Sequence, residues 1–234
     1  MKIDKNSNSY IIIYIMVVVV IVGTALTFTS MSLQPRQQAN INADKMKQIL
    51  ASVHISSAKG EIISDFERYI VGQFAVDSQG NRIEGADAFG IDVAKQVKLP
   101  ENERQLPVYE ARLSDGTTKY ILPAYGAGLW GPIWGYVAID SDGSTVYGAF
   151  FSHQGETPGL GAEIAKTAFS NQFEGKSILK NGEFMPIEVV KKGQKPDGNA
   201  DYVDGVSGGT ITSKGVGAML DNSLRPYQAF LKSL

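Results

Sequence analysis

Hydrophobic and polar positions divide this chain into an apolar opening, a middle of short apolar blocks and an amphipathic close. Tyr10 to Phe28 is almost wholly apolar and rich in Ile and Val, and no charge occurs from Asn6 to Pro35. A helix needs about 20 such residues to cross a bilayer core. The apolar part of a cleaved signal peptide is shorter, about 7–15 residues, and ends at small residues. Here the run is longer and Ser30-Met31-Ser32 is a weak cleavage site, so it reads as a retained anchor. Lys2 and Lys5 precede it and the first later charge is Arg36, which favours a cytoplasmic N-terminus with the rest of the chain outside. Gln34 to Asn42 is polar, contains Pro35 and reads as a linker. The expected division is a tail over 1–9, a transmembrane helix over 10–33, a linker over 34–42 and an outer domain over 43–234.

In that domain Met46, Ile49, Leu50 and Val53 fall at helical spacing within 43–54, after an Asn42 that could cap them. Ile62, Phe66 and Tyr69 suggest a second short helix. Strand patterns follow at 71–76, 107–113, 118–123, 133–139 and 145–152. Ser114-Asp115-Gly116 and Asp140 to Gly143 are placed as hairpin turns. A helix is expected over 162–173, a strand over 187–190 and a flexible stretch over 191–199. Val216, Met219, Leu220, Leu224, Tyr227, Phe230 and Leu231 share a helical face that Pro226 should kink or split. Hairpins flanked by helices predict an α+β domain with an antiparallel sheet.

Composition narrows the chemistry. With 234 residues, 43% hydrophobic and 9% aromatic, the chain can bury a core. Net charge is -2, which argues against a nucleic-acid partner. There is no cysteine, so the chain offers no disulfide, thiolate nucleophile or cysteine-held cluster. His54 and His153 are too few for a convincing metal site. Redox chemistry would have to come from an organic cofactor or from partners.

Three motifs match in letters only. Gly126-Ala127-Gly128-Leu129-Trp130-Gly131 fits a dinucleotide fingerprint, but Pro132 to Val137 reads as a strand where a helix should start. Gly205-Val206-Ser207-Gly208-Gly209 fits a nucleophile elbow, yet both histidines precede the serine, so a hydrolase is a remote alternative. Asp140-Ser141-Asp142-Gly143 begins like a calcium loop without its closing glutamate.

The informative stretch is Asp204 to Ser213, a Gly-rich turn with hydroxyls that opens into the last helix. Free N–H groups at a helix start hold phosphate, glycines allow close approach, and Lys214 could add charge. A plain capped turn fits the same residues. Local physics does not separate a covalent phosphate from a bound one.

Ser207-Gly208-Gly209-Thr210, after Asp204-Gly205, resembles the flavinylation motif of FMN-binding subunits in the sodium-translocating NADH:quinone reductase and the Rnf complex. The family usually has alanine where Gly209 stands. The resemblance implies FMN esterified through its phosphate to Thr210 by a flavin transferase. It further implies one flavin on the chain, and Ser207, Gly208, Gly209, Thr212, Ser213 and Lys214 around it. Glu156-Thr157-Pro158-Gly159-Leu160-Gly161 is similar to the family loop that lies against the flavin, with Glu156 and Thr157 as an acceptor and a hydroxyl. Gly128 to Tyr136, with Leu129 and Trp130, is similar to the Gly-Leu-Trp stretch of the sodium pump's FMN-binding member rather than to its Rnf counterpart. The resemblance implies an electron relay in a bacterial inner-membrane complex, with the other subunits as partners. No catalytic residue, metal, NADH site or quinone site is expected on this chain. The alternatives are the Rnf subunit and a cofactor-free tethered module.

Overall fold

The computed structural model describes residues 7–234 apart from residues 59 and 197. The chain divides between Lys45 and Met46 into two compact units. The first six positions of the expected tail lie outside the described residues.

The first unit is helical. Helix α1 spans Asn8–Ala51, and its last turn and a half belongs to the second unit. By length and composition it can cross a membrane. The residues from Ile11 to Val22 are exposed apolar side chains, as in a helix with lipid for solvent. Its threonines keep their hydroxyls satisfied internally: Thr27 Oγ1 donates to the Gly23 carbonyl and Thr29 Oγ1 to that of Ala25, each at 2.8 Å. Such back-bonding hides a polar group where no water is present.

Residues 34–42, read from the sequence as a linker, are helical, with Pro35 inside α1. Proline removes one backbone donor, but the flanking Gln, Arg and Ala residues are good helix formers. Gln38 Nε2 also donates to Asn42 Oδ1 one turn on, at 2.9 Å. Asn42 is therefore interior to a helix and does not cap a new one.

The second unit is built on a six-stranded antiparallel sheet. Its strands are β1 (Ile70–Val76), β2 (Arg82–Ile83), β3 (Leu106–Arg112), β4 (Thr118–Ala127), β5 (Pro132–Asp140) and β6 (Val146–His153), ordered β2-β1-β3-β4-β5-β6. The β3–β4 turn is held by Asp115, which accepts from the backbone N–H of Thr117 at 2.9 Å and its hydroxyl at 2.7 Å. Those bonds hold its carboxyl below the usual range. The β5–β6 turn has Asp142 accepting from Ser144 and Thr145, a hairpin lock rather than a calcium loop.

Both faces of the sheet are covered. Cross-strand neighbours Tyr109, Ile121 and Ala138 point to one side, where they pack with Ile49, Leu50, Phe66 and Ile70. Helix α2 (Ile62–Tyr69) supplies Phe66. Leu122, Val137 and Ala149 point to the other side, into a larger core with Phe151, Val216, Met219 and Leu224. Two buried faces explain why β4 and β5 read as near-continuous apolar runs instead of alternating ones.

Short elements complete the unit: α3 (Val93–Gln96), α4 (Thr167–Ser170), the hairpin β7 (Leu179–Lys180) and β8 (Glu183–Phe184), and the parallel pair β9 (Glu188–Val190) and β10 (Tyr202–Asp204). The chain ends in α5 (Thr210–Leu224), a 3-10 turn over Arg225–Tyr227 and α6 (Gln228–Lys232). Pro226 lies in that turn, so it splits the helix as expected. The helix expected over 162–173 is instead three short pieces, with Lys166 extended between the first two. Ile164, Phe169 and Phe173 are spaced five and four apart, and one helix cannot aim all three at the core. The break lets Phe169 and Phe173 pack on Phe151 at 5.7 and 5.0 Å between ring centroids.

Helix α5 lies close over β4 because glycines make room. A Cβ on Gly126 would stand 2.7 Å from Met219 Cβ, and one on Gly215 would collide with the Ala127 carbonyl. Ser223 Oγ fixes the far end, accepting from Tyr125 N at 3.1 Å. The start of α5 is thereby delivered to the β4–β5 loop.

Candidate functional site

The Gly-rich turn leaves β10 and enters α5. Gly205 N donates to the Val190 carbonyl at 2.7 Å and Gly209 N to that of Val206 at 3.0 Å. Gly208 is left-handed, with φ +77°, and a Cβ there would come 2.6 Å from Leu160 Cδ2. The left-handed backbone favours glycine. Gly209 precedes α5 and no side chain caps the helix, so its first N–H groups have no side-chain acceptor.

The four hydroxyls of the stretch differ sharply. Ser213 is 4% exposed and its Oγ accepts from Val206 N at 2.9 Å. Thr212 is 1% exposed and donates to Glu156 Oε2 at 2.6 Å. Ser207 and Thr210 are exposed, as is Lys214. Thr212 and Ser213, expected beside a cofactor, are internal braces of the turn.

The second segment, 156–161, follows β6. Leu160 N closes a turn onto the Thr157 carbonyl at 3.1 Å, with Pro158 and Gly159 as the central residues and Gly159 at φ +75°. This is the arrangement of a type II turn. Thr157, Pro158, Gly159 and Leu160 are exposed and Gly161 is buried. Glu156 is 4% exposed.

The third segment joins β4 to β5. Gly128 N donates to the Gly131 carbonyl at 2.8 Å, so the fingerprint-like glycines form a strand-to-strand loop and start no helix. Leu129 and Trp130 stand out from it, Trp130 67% exposed.

Glu156 gathers the three segments. Its Oε1 accepts from Trp130 N at 2.7 Å while Oε2 accepts from Thr212 Oγ1, and its own N–H donates to His153 Nδ1 at 3.1 Å. A Cβ on Gly128 would lie 2.5 Å from Oε1, and one on Gly161 would collide with Oε2. From the sequence Glu156 is expected to offer an acceptor to the ligand. Both of its oxygens are instead engaged inside the protein, because a buried carboxylate needs donors. Glu156 thus belongs to the expected site but has a different task there.

Beside Thr210 lies a cavity of about 490 Å³, within the usual range for small-molecule sites. Val189, Lys191, Lys192, Lys195, Thr210 and Lys214 are among its lining residues. The lysines of 191–195 were missed, since that stretch reads as flexible; the signal was three lysines in five positions directly after a strand. These features suit a phosphorylated flavin. The cavity sets lysines beside an exposed hydroxyl at a helix start, and exposed Leu129, Trp130, Leu160 and Ile211 offer apolar surface.

Removing the bridge should loosen the site. In Glu156→Ala the Trp130 amide and the Thr212 hydroxyl lose their acceptor, at a cost of about 2–4 kcal/mol. Hydrogen exchange at the Trp130 amide should accelerate while amides in β3 stay protected. Unchanged protection at Trp130 would contradict the bridging role.

Comparison with known proteins gives the family. The FMN-binding domain family matches residues 128–225, a span containing all three segments. The C subunit of Na(+)-translocating NADH-quinone reductase from Vibrio vulnificus (strain YJ016) is 34% identical over 203 residues, covering 80% of this chain and 79% of that protein. The Haemophilus ducreyi protein of the same name is 30% identical over 239 residues, covering 96% and 91%. Among solved structures, the same subunit from Parabacteroides distasonis superposes with a TM-score of 0.80 at 51% identity, over 86% of this chain and 98% of that one. NqrC of Shewanella oneidensis gives 0.68 at 25% identity, over 83% and 98%. With relatives of 30–34% identity matched over most of their length and the same fold in the solved structures, this chain belongs to the NqrC family, the C subunits of Na(+)-translocating NADH-quinone reductases.

Proposed function

We propose that this chain is the FMN-carrying electron-transfer subunit of a sodium-translocating NADH:quinone reductase, with FMN held covalently through its phosphate on Thr210. Bound FMN supplies the redox chemistry, accepting and passing on electrons. The protein's part is attachment, orientation and electrostatic tuning.

The observation that carries the attachment is the contrast among the hydroxyls. Thr210 is exposed at the first turn of α5, whereas Thr212 and Ser213 are buried and hydrogen-bonded. A phosphate on Thr210 sits against open N–H groups and the positive end of the helix. Ser207 is also exposed, but it lies in the turn before the helix. The ester is the work of a flavin transferase acting on an activated flavin nucleotide. The Thr210 Oγ1–P bond forms as the donor's bond from phosphorus to its leaving group breaks, and the hydroxyl proton departs. The three segments tied by Glu156 then wall the ring, with Leu160, Leu129 and Trp130 as apolar neighbours. Electrons pass to partner subunits of the complex. Helix α1 anchors the chain in the bacterial inner membrane, N-terminus inside and the domain outside.

Made with the transferase and run on a denaturing gel, the protein should show a fluorescent flavin band. The band should vanish in Thr210→Ala and persist in Ser207→Ala, Thr212→Ala and Ser213→Ala. Fluorescence surviving in Thr210→Ala would sink the assignment. Orientation has a separate check: protease added to the outer face of intact, outer-membrane-stripped cells should digest the domain. Digestion confined to inverted membranes would place it inside.

A further inference from the structure

Besides donors for its two oxygens, buried Glu156 needs an acceptor for its backbone N–H. His153, the half-buried last residue of β6, supplies it, with Nδ1 receiving the N–H at 3.1 Å. Gln154 N donates to the Pro132 carbonyl at 3.0 Å and closes the pairing of β6 with β5. The chain then turns, and the imidazole ties the first residue of the 156–161 turn back to the end of the sheet. A backbone N–H only donates, so Nδ1 must hold a lone pair and the neutral ring carries its proton on Nε2. A second proton would set two donors against each other, and the bond would be lost.

Few charges surround this bond. Between β6 and Phe173 they are Glu156, Glu163 and Lys166. Glu156 is engaged by Trp130 and Thr212, Glu163 accepts from Gly159 N at 3.3 Å, and Lys166 lines a cavity with Asp204 and Ser207. The facing loop and strand start, residues 127–135, contain no titratable group, and on α5 the nearby charge is the exposed Lys214. Among the described residues His153 forms no ion pair, whereas His54 lies 3.6 Å from Glu174.

We propose that His153 is a positioning residue of the flavin site: its neutral imidazole, protonated on Nε2, fixes the backbone of Glu156. Uptake of a second proton frees the 156–161 turn from the end of β6, so the flavin's surroundings respond to pH. Histidine is the side chain whose charge ordinarily changes between about pH 5 and 8. The bond is therefore present at the alkaline end of that window and lost as pH falls through it. This inference rests on the flavin lying against the 156–161 turn and adds the residue that holds the turn in place.

The first test needs no flavin. In the whole unflavinylated chain in detergent, nitrogen NMR should show two imidazoles, assigned with His54→Gln. At about pH 8, Nδ1 of His153 should be the unprotonated nitrogen, and the Glu156 amide signal should shift with the His153 titration. In His153→Asn the side-chain oxygen can accept in the same place, so Glu156 amide exchange should stay within about twofold of wild type. In His153→Phe it should accelerate about fivefold, the loss of one neutral hydrogen bond. With flavin attached, visible circular dichroism should fall between about pH 8 and 5 in wild type and stay flat and high in His153→Asn. A proton on Nδ1, a Glu156 amide indifferent to the imidazole, or a His153→Asn dichroism that still titrates would each overturn the proposal. Should His153→Phe fail to fold, the wild-type titration and His153→Asn still decide. A flavin held elsewhere would leave the amide results standing and remove only the dichroism step, so the two failures are distinguishable.

Discussion

The site depends on one buried carboxylate. Glu156 is nearly inaccessible, and a buried carboxylate needs hydrogen-bond donors. It finds them on two segments remote in sequence, the Trp130 amide and the Thr212 hydroxyl. Satisfying one side chain therefore fixes the β4–β5 loop, the 156–161 turn and the first turn of α5 relative to one another. The glycines around it follow from the same need. Gly128 and Gly161 leave the carboxylate its space, and Gly208 lets the Gly-rich turn pass under Leu160. These segments and the Gly-rich turn carry every residue assigned to the flavin on resemblance alone.

The helix that presents Thr210 is positioned from the opposite end. Gly126 and Gly215 allow α5 to approach β4, and Ser223 ties it to Tyr125. Apolar contacts of Val216, Met219, Leu220 and Leu224 hold it on the sheet. A rigid scaffold thus carries an exposed attachment point, which suits a carrier that must meet partners. Covalent attachment has a physical logic outside the membrane, where a dissociated flavin would be lost.

The sheet was legible in the sequence because β1 and β3 to β6 are long and apolar, with Asp-Gly turns between β3 and β4 and between β5 and β6. The split at Pro226 was equally legible, since proline acts locally. Three features were not. Residues 34–42 hold Pro35 and polar side chains that suit a linker as well as a solvated helix, and only continuity with the helix on either side decides. The helix over 162–173 failed because periodicity cannot register the spacing from Ile164 to Phe169, which needs a break at Lys166. Strand β9 falls within the strand expected over 187–190, but β10 has three residues and is defined by pairing with β9 across an 11-residue gap, which no local pattern encodes. At the site, resemblance identified the segments but not the work of each residue. Whether Glu156 or Thr212 faces a ligand or another side chain is a tertiary fact. The lysines of 191–195 escaped notice because charge in a Gly-rich loop ordinarily means solvent.

In this reading the Glu156 bridge shapes the flavin's surroundings while Thr210 alone holds the flavin. Visible circular dichroism of the flavinylated protein reads those surroundings directly, since the flavin bands gain rotational strength only from an ordered asymmetric site. Glu156→Ala, loaded to the same flavin content as wild type, should lose most of the visible dichroism. Its far-ultraviolet spectrum should be unchanged. A variant with full flavin content and undiminished visible dichroism would contradict the central role of Glu156, since the three segments would then be held at the flavin by something else.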